Sequence, residues 1–114
     1  MTDAELIDRL KADLGDRVEI ANPAPRRLFL KVAPRDLVAV TTRLRDAFGV
    51  VFLSTVSGVD LGASFEIVYH FSTPAADFNL RTEIPRDAPR VDSITPVIPG
   101  AVLYERELQD MFGM

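Results

Sequence analysis

Two stretches in the second half of the chain alternate between apolar and polar residues, and this alternation is the strongest constraint on the fold. They read "SFEIVYHFS" (residues 64–72) and "FNLRTEI" (residues 78–84). Successive side chains of a β-strand point to opposite faces, so each stretch predicts a strand with one buried face. The predicted inward set is Phe65, Ile67, Tyr69, Phe71, Phe78, Leu80, Thr82 and Ile84. The other face, which we expect to be solvated, carries Glu66, His70, Arg81 and Glu83.

The first half of the chain predicts two helices and a hairpin. Leu6, Ile7, Leu10 and Leu14 recur at helical spacing before Gly15, and a second helix is predicted between Pro34 and Gly49. Between them, "RVEIA" (17–21) and "LFLKV" (28–32) alternate like paired strands. The whole order predicts a two-layer α+β fold. We expect a mixed, mainly antiparallel sheet of about five strands, two helices on one face and a C-terminal helix after a proline-rich loop.

The stretch "VVFLSTVSGVD" (50–60) begins with an unbroken apolar run rather than an alternation. Strands that are covered on both faces have this composition. The sequence therefore predicts that this strand lies in the centre of the sheet.

With 114 residues, the chain is expected to form one domain over residues 1–114. We divide it into an α+β core (1–84), a proline-rich strap (85–100) and a terminal motif helix (101–112). The segment "PRDAPRVDSITPVIP" (85–99) holds four of the eight prolines. Because proline lacks a backbone donor, we expect the strap to run over the surface without regular structure. Both a plain connector and a docking strap fit this composition.

Composition excludes several classes of function. The chain has no cysteine and a single histidine, His70, so the sequence offers no disulfide, thiolate cluster ligand, cysteine nucleophile or multi-histidine metal site. A net charge of −4 argues against nucleic-acid binding. No apolar run reaches the ~20 residues of a membrane span, and the acidic N-terminus does not resemble a secretory signal. We expect no cofactor and a cytoplasmic location.

The last segment, "YERELQDMFGM" (104–114), combines carboxylates with an arginine on a predicted helix over residues 101–112. An apolar arc of Ala101, Tyr104, Leu108, Met111 and Phe112 is expected to dock on the domain. Val102 and Leu103 instead project onto the charged side, which indicates contact with another protein.

Catalysis by this helix is disfavoured, because Glu105 and Glu107 project about 200° apart and cannot converge on one substrate atom. Two alternatives to a partner surface stay open. One is a small enzyme that uses Glu66, His70 and Glu83 on the open sheet face, where Glu66 and His70 would form a pH-sensitive pair. The other is a free-standing binding module.

The terminal segment resembles the E-R-E-x-x-D-[hydrophobic]-[hydrophobic]-G stretch of the 30 kDa subunit family of respiratory complex I, the NADH-quinone oxidoreductase. That family includes the corresponding small subunit of membrane-bound, energy-converting hydrogenases. The resemblance extends to "LRTEIP" (80–85), to "SGVD" (57–60) and to Pro89, Ser93 and Thr95 of the strap.

The resemblance implies a subunit without redox centres in the hydrophilic arm of a complex I-like NADH:quinone oxidoreductase or a related hydrogenase, at the inner face of the membrane. Its implied partners are the large hydrogenase-like (49 kDa-type) subunit and the cluster-bearing small subunit. The expected partner interface comprises Val102, Leu103, Glu105, Arg106, Glu107, Asp110 and Phe112.

Two departures from the family pattern concern the branch. Complex I members usually carry a tryptophan where Val102 and Leu103 stand here, and they continue beyond the F-G with a basic, proline-containing tail. We therefore expect either the shorter hydrogenase-type branch, which "IPGA" (98–101) favours, or a chain truncated after Met114.

Overall fold

The computed structural model describes residues 2–87, 91 and 93–112, with side chains as far as Leu108. Single 3-10 turns precede β1, α2 and α3, at Gly15–Arg17, Pro34–Asp36 and Pro99–Ala101. The helices and strands are α1 (Asp3–Leu14), β1 (Val18–Ala24), β2 (Arg27–Val32), α2 (Leu37–Phe48), β3 (Phe52–Asp60), β4 (Ser64–Ser72), β5 (Asp77–Pro85) and α3 (Val102–Phe112). This is the predicted order of elements.

The five strands form one sheet in the order β1-β2-β5-β4-β3. β2 and β5 pair in parallel, and the other neighbours pair antiparallel. The prediction of an α+β fold with a mixed, mainly antiparallel sheet is therefore confirmed. The first hairpin turns slightly later than expected, since β1 continues to Ala24 and the turn lies at Pro25 and Arg26.

The predicted position of β3 in the sheet is wrong. The central strand is β5, and β3 lies at an edge with only β4 beside it. Val51 and Phe52, whose apolar run suggested burial on both faces, are each 62% exposed. An apolar run indicates side chains that favour burial, but it does not say what buries them. A molecule outside the domain can bury them as well as a second layer of the fold.

The core lies between one face of the sheet and the helices. The apolar residues of α1 that were expected to point inward, including Leu10, share a single cluster with Leu44 of α2 and with the alternating residues of β4 and β5. Gly49 ends α2 in the left-handed conformation, with φ of 66°, as glycine permits. Arg43 donates two hydrogen bonds to Asp13 at 2.9 and 2.8 Å, which ties α2 to α1.

The strap differs from the prediction in its second half. Ile94, Val97 and Ile98 are buried and belong to the core cluster, although this segment has no regular structure before Pro99. Arg45 of α2 also donates a hydrogen bond to the Val97 carbonyl at 3.2 Å. The segment is thus anchored inside the domain by apolar side chains rather than laid over its surface. Pro89 lies outside the described residues.

Candidate interaction surface

Helix α3 docks on the edge strand β3. Ala101 and Leu108 are buried, as the predicted apolar arc requires, and Tyr104 is partly buried against the same cluster. The Tyr104 hydroxyl donates a hydrogen bond to the Ser54 carbonyl at 3.0 Å, which joins the helix to β3. The side chains of Met111 and Phe112 lie outside the described part of the chain.

The opposite side of α3 is exposed and partly apolar. Leu103 is 64% exposed and Val102 is 44% exposed, and the charged side chains of Arg106 and Glu107 are exposed beside them. Other exposed large apolar side chains in the described residues lie on β3 or at its ends. They are Val51, Phe52, Val59 and Leu61. Contiguous apolar patches are where proteins contact other molecules, so we take this edge as the candidate interaction surface.

Glu105 has a function within the chain that the sequence did not reveal. Its carboxylate accepts hydrogen bonds from the Ser93 hydroxyl at 2.7 Å, the Ile94 amide at 3.0 Å and the Thr95 hydroxyl at 2.6 Å. We expected Glu105 at the border of the partner interface, but its carboxylate faces the strap. The two hydroxyl side chains around Ile94 were the available sequence signal, because hydroxyls at such spacing can bind one carboxylate together.

The charge of Glu105 also acts on Tyr69 of β4, whose side chain is almost completely buried. Burial raises the pKa of the Tyr69 phenol far above its usual range, and the negative charge of Glu105 raises it further. Tyr69 is therefore a neutral phenol at any physiological pH.

The open face of the sheet does not assemble the alternative catalytic set. Arg81 donates two hydrogen bonds to one carboxylate oxygen of Glu66, at 3.2 and 2.7 Å. His70 contacts the Ser57 hydroxyl at 3.3 Å through Nε2. Four residues of extended chain span about 13 Å, so Glu66 and His70 do not form the expected pH-sensitive pair.

Glu83 lies directly across from Glu66 in the sheet register, and it also lines a separate cavity of about 300 Å³. That cavity is bounded by charged residues of both signs, including Asp16, Lys31 and Asp36, and it contains neither Glu66 nor His70. Among the described residues, no group of three or more acidic or histidine side chains is placed to hold a metal ion. No helix of the described chain is long and apolar enough to cross a membrane.

The other residues of the expected partner interface are only partly described. Val102, Leu103, Arg106 and Glu107 share the exposed side of α3, as expected. The side chains of Asp110 and Phe112, and all of Met114, lie outside the described residues. The sequence did not identify Val51, Phe52, Val59 and Leu61 as part of an exposed edge, since it placed β3 in the centre of the sheet.

The chain is similar to subunits of respiratory complexes in both sequence and structure. An NADH-quinone oxidoreductase subunit of Mesorhizobium japonicum is 36% identical over 117 residues, which cover 97% of this chain and 58% of that protein. The subunit of the same name in Brucella abortus is 37% identical over 116 residues, covering 96% of this chain and 57% of that protein. The chain thus spans a little over half the length of these relatives.

Among solved structures, a chain of the membrane-bound sulfane sulfur reductase, an archaeal respiratory membrane complex, superposes with a TM-score of 0.88. The superposition covers 97% of this chain and 68% of that chain at 21% identity, so it establishes the shared fold alone. The family model described as the 30 kDa subunit of respiratory-chain NADH dehydrogenase matches residues 30–114. Because this match covers most of the sequence, the chain belongs to the family of the respiratory-chain NADH dehydrogenase 30 kDa subunit.

Proposed function

We propose that this chain is an assembly subunit in the hydrophilic arm of a complex I-like, membrane-associated oxidoreductase, either an NADH:quinone oxidoreductase or a related membrane-bound hydrogenase. It contributes to electron transfer through the complex without holding a redox centre, and it lies at the inner face of the membrane. Family membership and the names of its relatives support this role. The cysteine-free sequence supports it as well, because an iron–sulfur cluster needs thiolate ligands.

The observation that carries the proposal is the exposure of Val102 and Leu103 on the first turn of α3. Helix α3 already buries one apolar side within the domain, so these two residues are not needed to hold it there. Leaving a leucine in water forgoes about 1.5–3 kcal/mol that its burial would contribute. A protein–protein interface recovers this free energy, and its central contacts are typically apolar side chains of this kind.

The charged residues next to this pair suit the rim of such an interface. Arg106 and Glu107 are exposed, and neither forms an ion pair with another described residue. Charges at a rim set orientation and specificity more than affinity. We propose that the large hydrogenase-like subunit and the cluster-bearing small subunit of the same complex supply the opposing surface, with Asp110 and Phe112 extending the contact.

Co-purification tests the proposal. The tagged chain is expressed in its native cells, and membranes are solubilised gently before affinity capture. We expect the large hydrogenase-like subunit and the cluster-bearing subunit to be recovered with it in equal amounts. We also expect the isolated chain to contain no iron by elemental analysis. Recovery of the chain without either partner would favour a free-standing binding module and would refute the assembly role.

Charge reversal locates the contact. Arg106→Glu is expected to reduce partner recovery at least tenfold. The substitution replaces a positive charge at the proposed interface with a negative one, which would repel an acidic group of the partner that contacts Arg106. Lys11→Glu is a matched control, since Lys11 is an exposed basic residue on α1. Both variants should unfold at nearly the wild-type urea concentration. Equal partner recovery from the two variants would exclude α3 as the contact.

A further inference from the structure

We propose that the free edge of β3 pairs with an extended, uncharged segment of a partner protein, so that the partner adds a sixth strand to this sheet. This inference rests on the proposed function and adds a second contact beside α3. The contact involves the backbone of β3 as well as its side chains, so the bound segment must be an extended strand.

The two edges of the sheet are built differently. β1, at one edge, carries Pro23 and a register irregularity between Ala21 and Ala24. Prolines and bulges at an edge prevent pairing with further strands. β3, at the other edge, is a strand of nine residues without proline or lysine. Its one irregularity lies near its beginning, between Leu53 and Thr55, and the rest of the strand is regular. The fold therefore protects one edge and leaves the other suitable for strand addition.

The backbone of β3 has few partners beyond β4. In the described part of the chain, Tyr104 is the one residue outside the sheet that donates a hydrogen bond to the backbone of this strand, at the Ser54 carbonyl. A strand at the edge of a sheet directs every second pair of N–H and C=O groups away from its neighbour. The edge beyond Ser54 thus offers a row of donors and acceptors, which is the chemistry that binds an extended peptide.

The side chains along this edge indicate the composition of the bound segment. Phe52 and Val59 of β3 are 62% and 40% exposed, and Val51 and Leu61 at its two ends are 62% and 47% exposed. An added strand would place its own side chains beside these residues on the same faces of the sheet. Apolar side chains at alternate positions of the partner segment would therefore bury this surface.

The charges near β3 also favour an uncharged segment. Residues 51–59 contain no ionisable side chain. The first charge beyond them, Asp60, is neutralised by an ion pair with Arg86, which also donates a hydrogen bond to the Gly62 carbonyl at 2.6 Å. A charged residue in the partner segment would lose water without gaining a counter-ion along this edge. The occupant is therefore an uncharged extended segment, and the Asp60–Arg86 pair marks the end of its site.

Hydrogen exchange resolved to single amides tests the inference. Exchange in β3 is measured for the purified free chain and for the same chain within the complex captured from its native membranes. We expect alternate amides between Val56 and Val59 to exchange at least tenfold more slowly in the complex, while the amides of β5, in the centre of the sheet, change little. Unchanged exchange throughout β3 in an intact complex would overturn strand addition and leave the assembly role standing.

A pair of lysine substitutions provides the second measurement. Val59→Lys places a charge beside the added strand, and Ala21→Lys places the same charge on an exposed position of the opposite edge strand. We expect Val59→Lys to remove the protection of β3 while α3 keeps the chain in the complex, and Ala21→Lys to change neither. Retained protection in Val59→Lys would refute the proposed site.

The mass of the free chain shows whether a second copy of this chain, rather than a partner protein, binds the edge of β3. Light scattering after size exclusion should give a monomer at the concentration used for exchange. A dimer whose β3 amides are already protected would show that the edge binds a second copy of this chain, which contradicts the proposal. Failure to recover any complex would instead refute the assembly role on which this inference depends.

Discussion

Replacement of Glu105 by alanine is expected to destabilise the domain strongly, although the residue lies on a terminal helix among other charges. The change removes one carboxylate that accepts three hydrogen bonds, from Ser93, Ile94 and Thr95. It also leaves the amide of Ile94 without an acceptor next to a fully buried side chain. Around residues 93–98, the described contacts with the rest of the domain would then be chiefly the buried apolar side chains and the hydrogen bond from Arg45 to the Val97 carbonyl.

The magnitude follows from the number and type of these bonds. A hydrogen bond to a charged group contributes about 1.5–3 kcal/mol, and an unsatisfied buried amide costs about 1–3 kcal/mol. The carboxylate is partly exposed, and water replaces part of what is lost. We therefore expect a loss of roughly 2–4 kcal/mol in the free energy of unfolding. With a urea m-value of about 2 kcal/mol/M, the midpoint should fall by roughly 1–2 M.

Urea unfolding followed by circular dichroism measures this effect. Glu107→Ala is the matched control, because Glu107 is exposed two positions along the same helix and has no hydrogen bond to a described residue. Its free energy of unfolding should stay within about 0.5 kcal/mol of wild type. Glu105→Gln, which keeps an acceptor but loses the charge, should fall between the two. If Glu105→Ala and Glu107→Ala unfold at the same urea concentration, the carboxylate does not anchor the strap.

Three further predictions, one of them with a control substitution, test other contacts. Thr82→Val should raise the free energy of unfolding by about 1 kcal/mol, because the fully buried Thr82 hydroxyl has no hydrogen-bond partner among the described residues. Thr41→Val, whose hydroxyl donates to the Leu37 carbonyl at 2.7 Å, should bring no such gain in the same urea titration. The hydrogen bonds from Arg43 lower the pKa of Asp13. The ion pair therefore stabilises the fold fully at pH values above the ordinary carboxyl pKa of about 4, and this stabilisation is lost as the pH falls through the lowered pKa of Asp13. Asp13→Asn should remove that part of the acid dependence of the thermal midpoint, and an unchanged acid profile would contradict the pairing. The hydrogen bond from Arg86, with a smaller contribution from the Gly62 amide, lowers the pKa of Asp60. Arg86→Gln should therefore raise the Asp60 pKa in an NMR titration. An unchanged Asp60 pKa would show that the ion pair does not persist in solution.

Much of the local structure followed from the sequence. α1 and α2 end at Gly15 and Gly49 as expected, and Thr2 caps the start of α1 by accepting a hydrogen bond from the Glu5 amide at 3.2 Å. These features depend on contacts between residues a few positions apart. The alternation in β4 and β5 identified the inward residues for the same reason, because side-chain direction in a strand follows from position along it.

The site was predictable only in part. The division of α3 into a docking side and an exposed side followed from helical periodicity, so Leu108 and Leu103 were assigned correctly. The carboxylate of Glu105 could not be assigned in that way. Its partners in the strap lie ten to twelve residues away along a segment without regular structure, and no periodicity relates the two. The burial of Ile94 and Val97 was missed because proline content predicted an exposed path.

The sequence by itself determined which elements form, in what order, and which side chains of α1, α2, β4 and β5 face inward, since these properties depend on backbone preferences and on the spacing of apolar residues. Tertiary structure decided which strands are neighbours. The parallel pairing of β2 with β5 places β5 in the centre and leaves β3 at the edge. Pairing between strands joins residues that are far apart in the chain, and its free energy depends on packing against every other element. For that reason the apolar residues of β3 became an exposed edge instead of a buried centre.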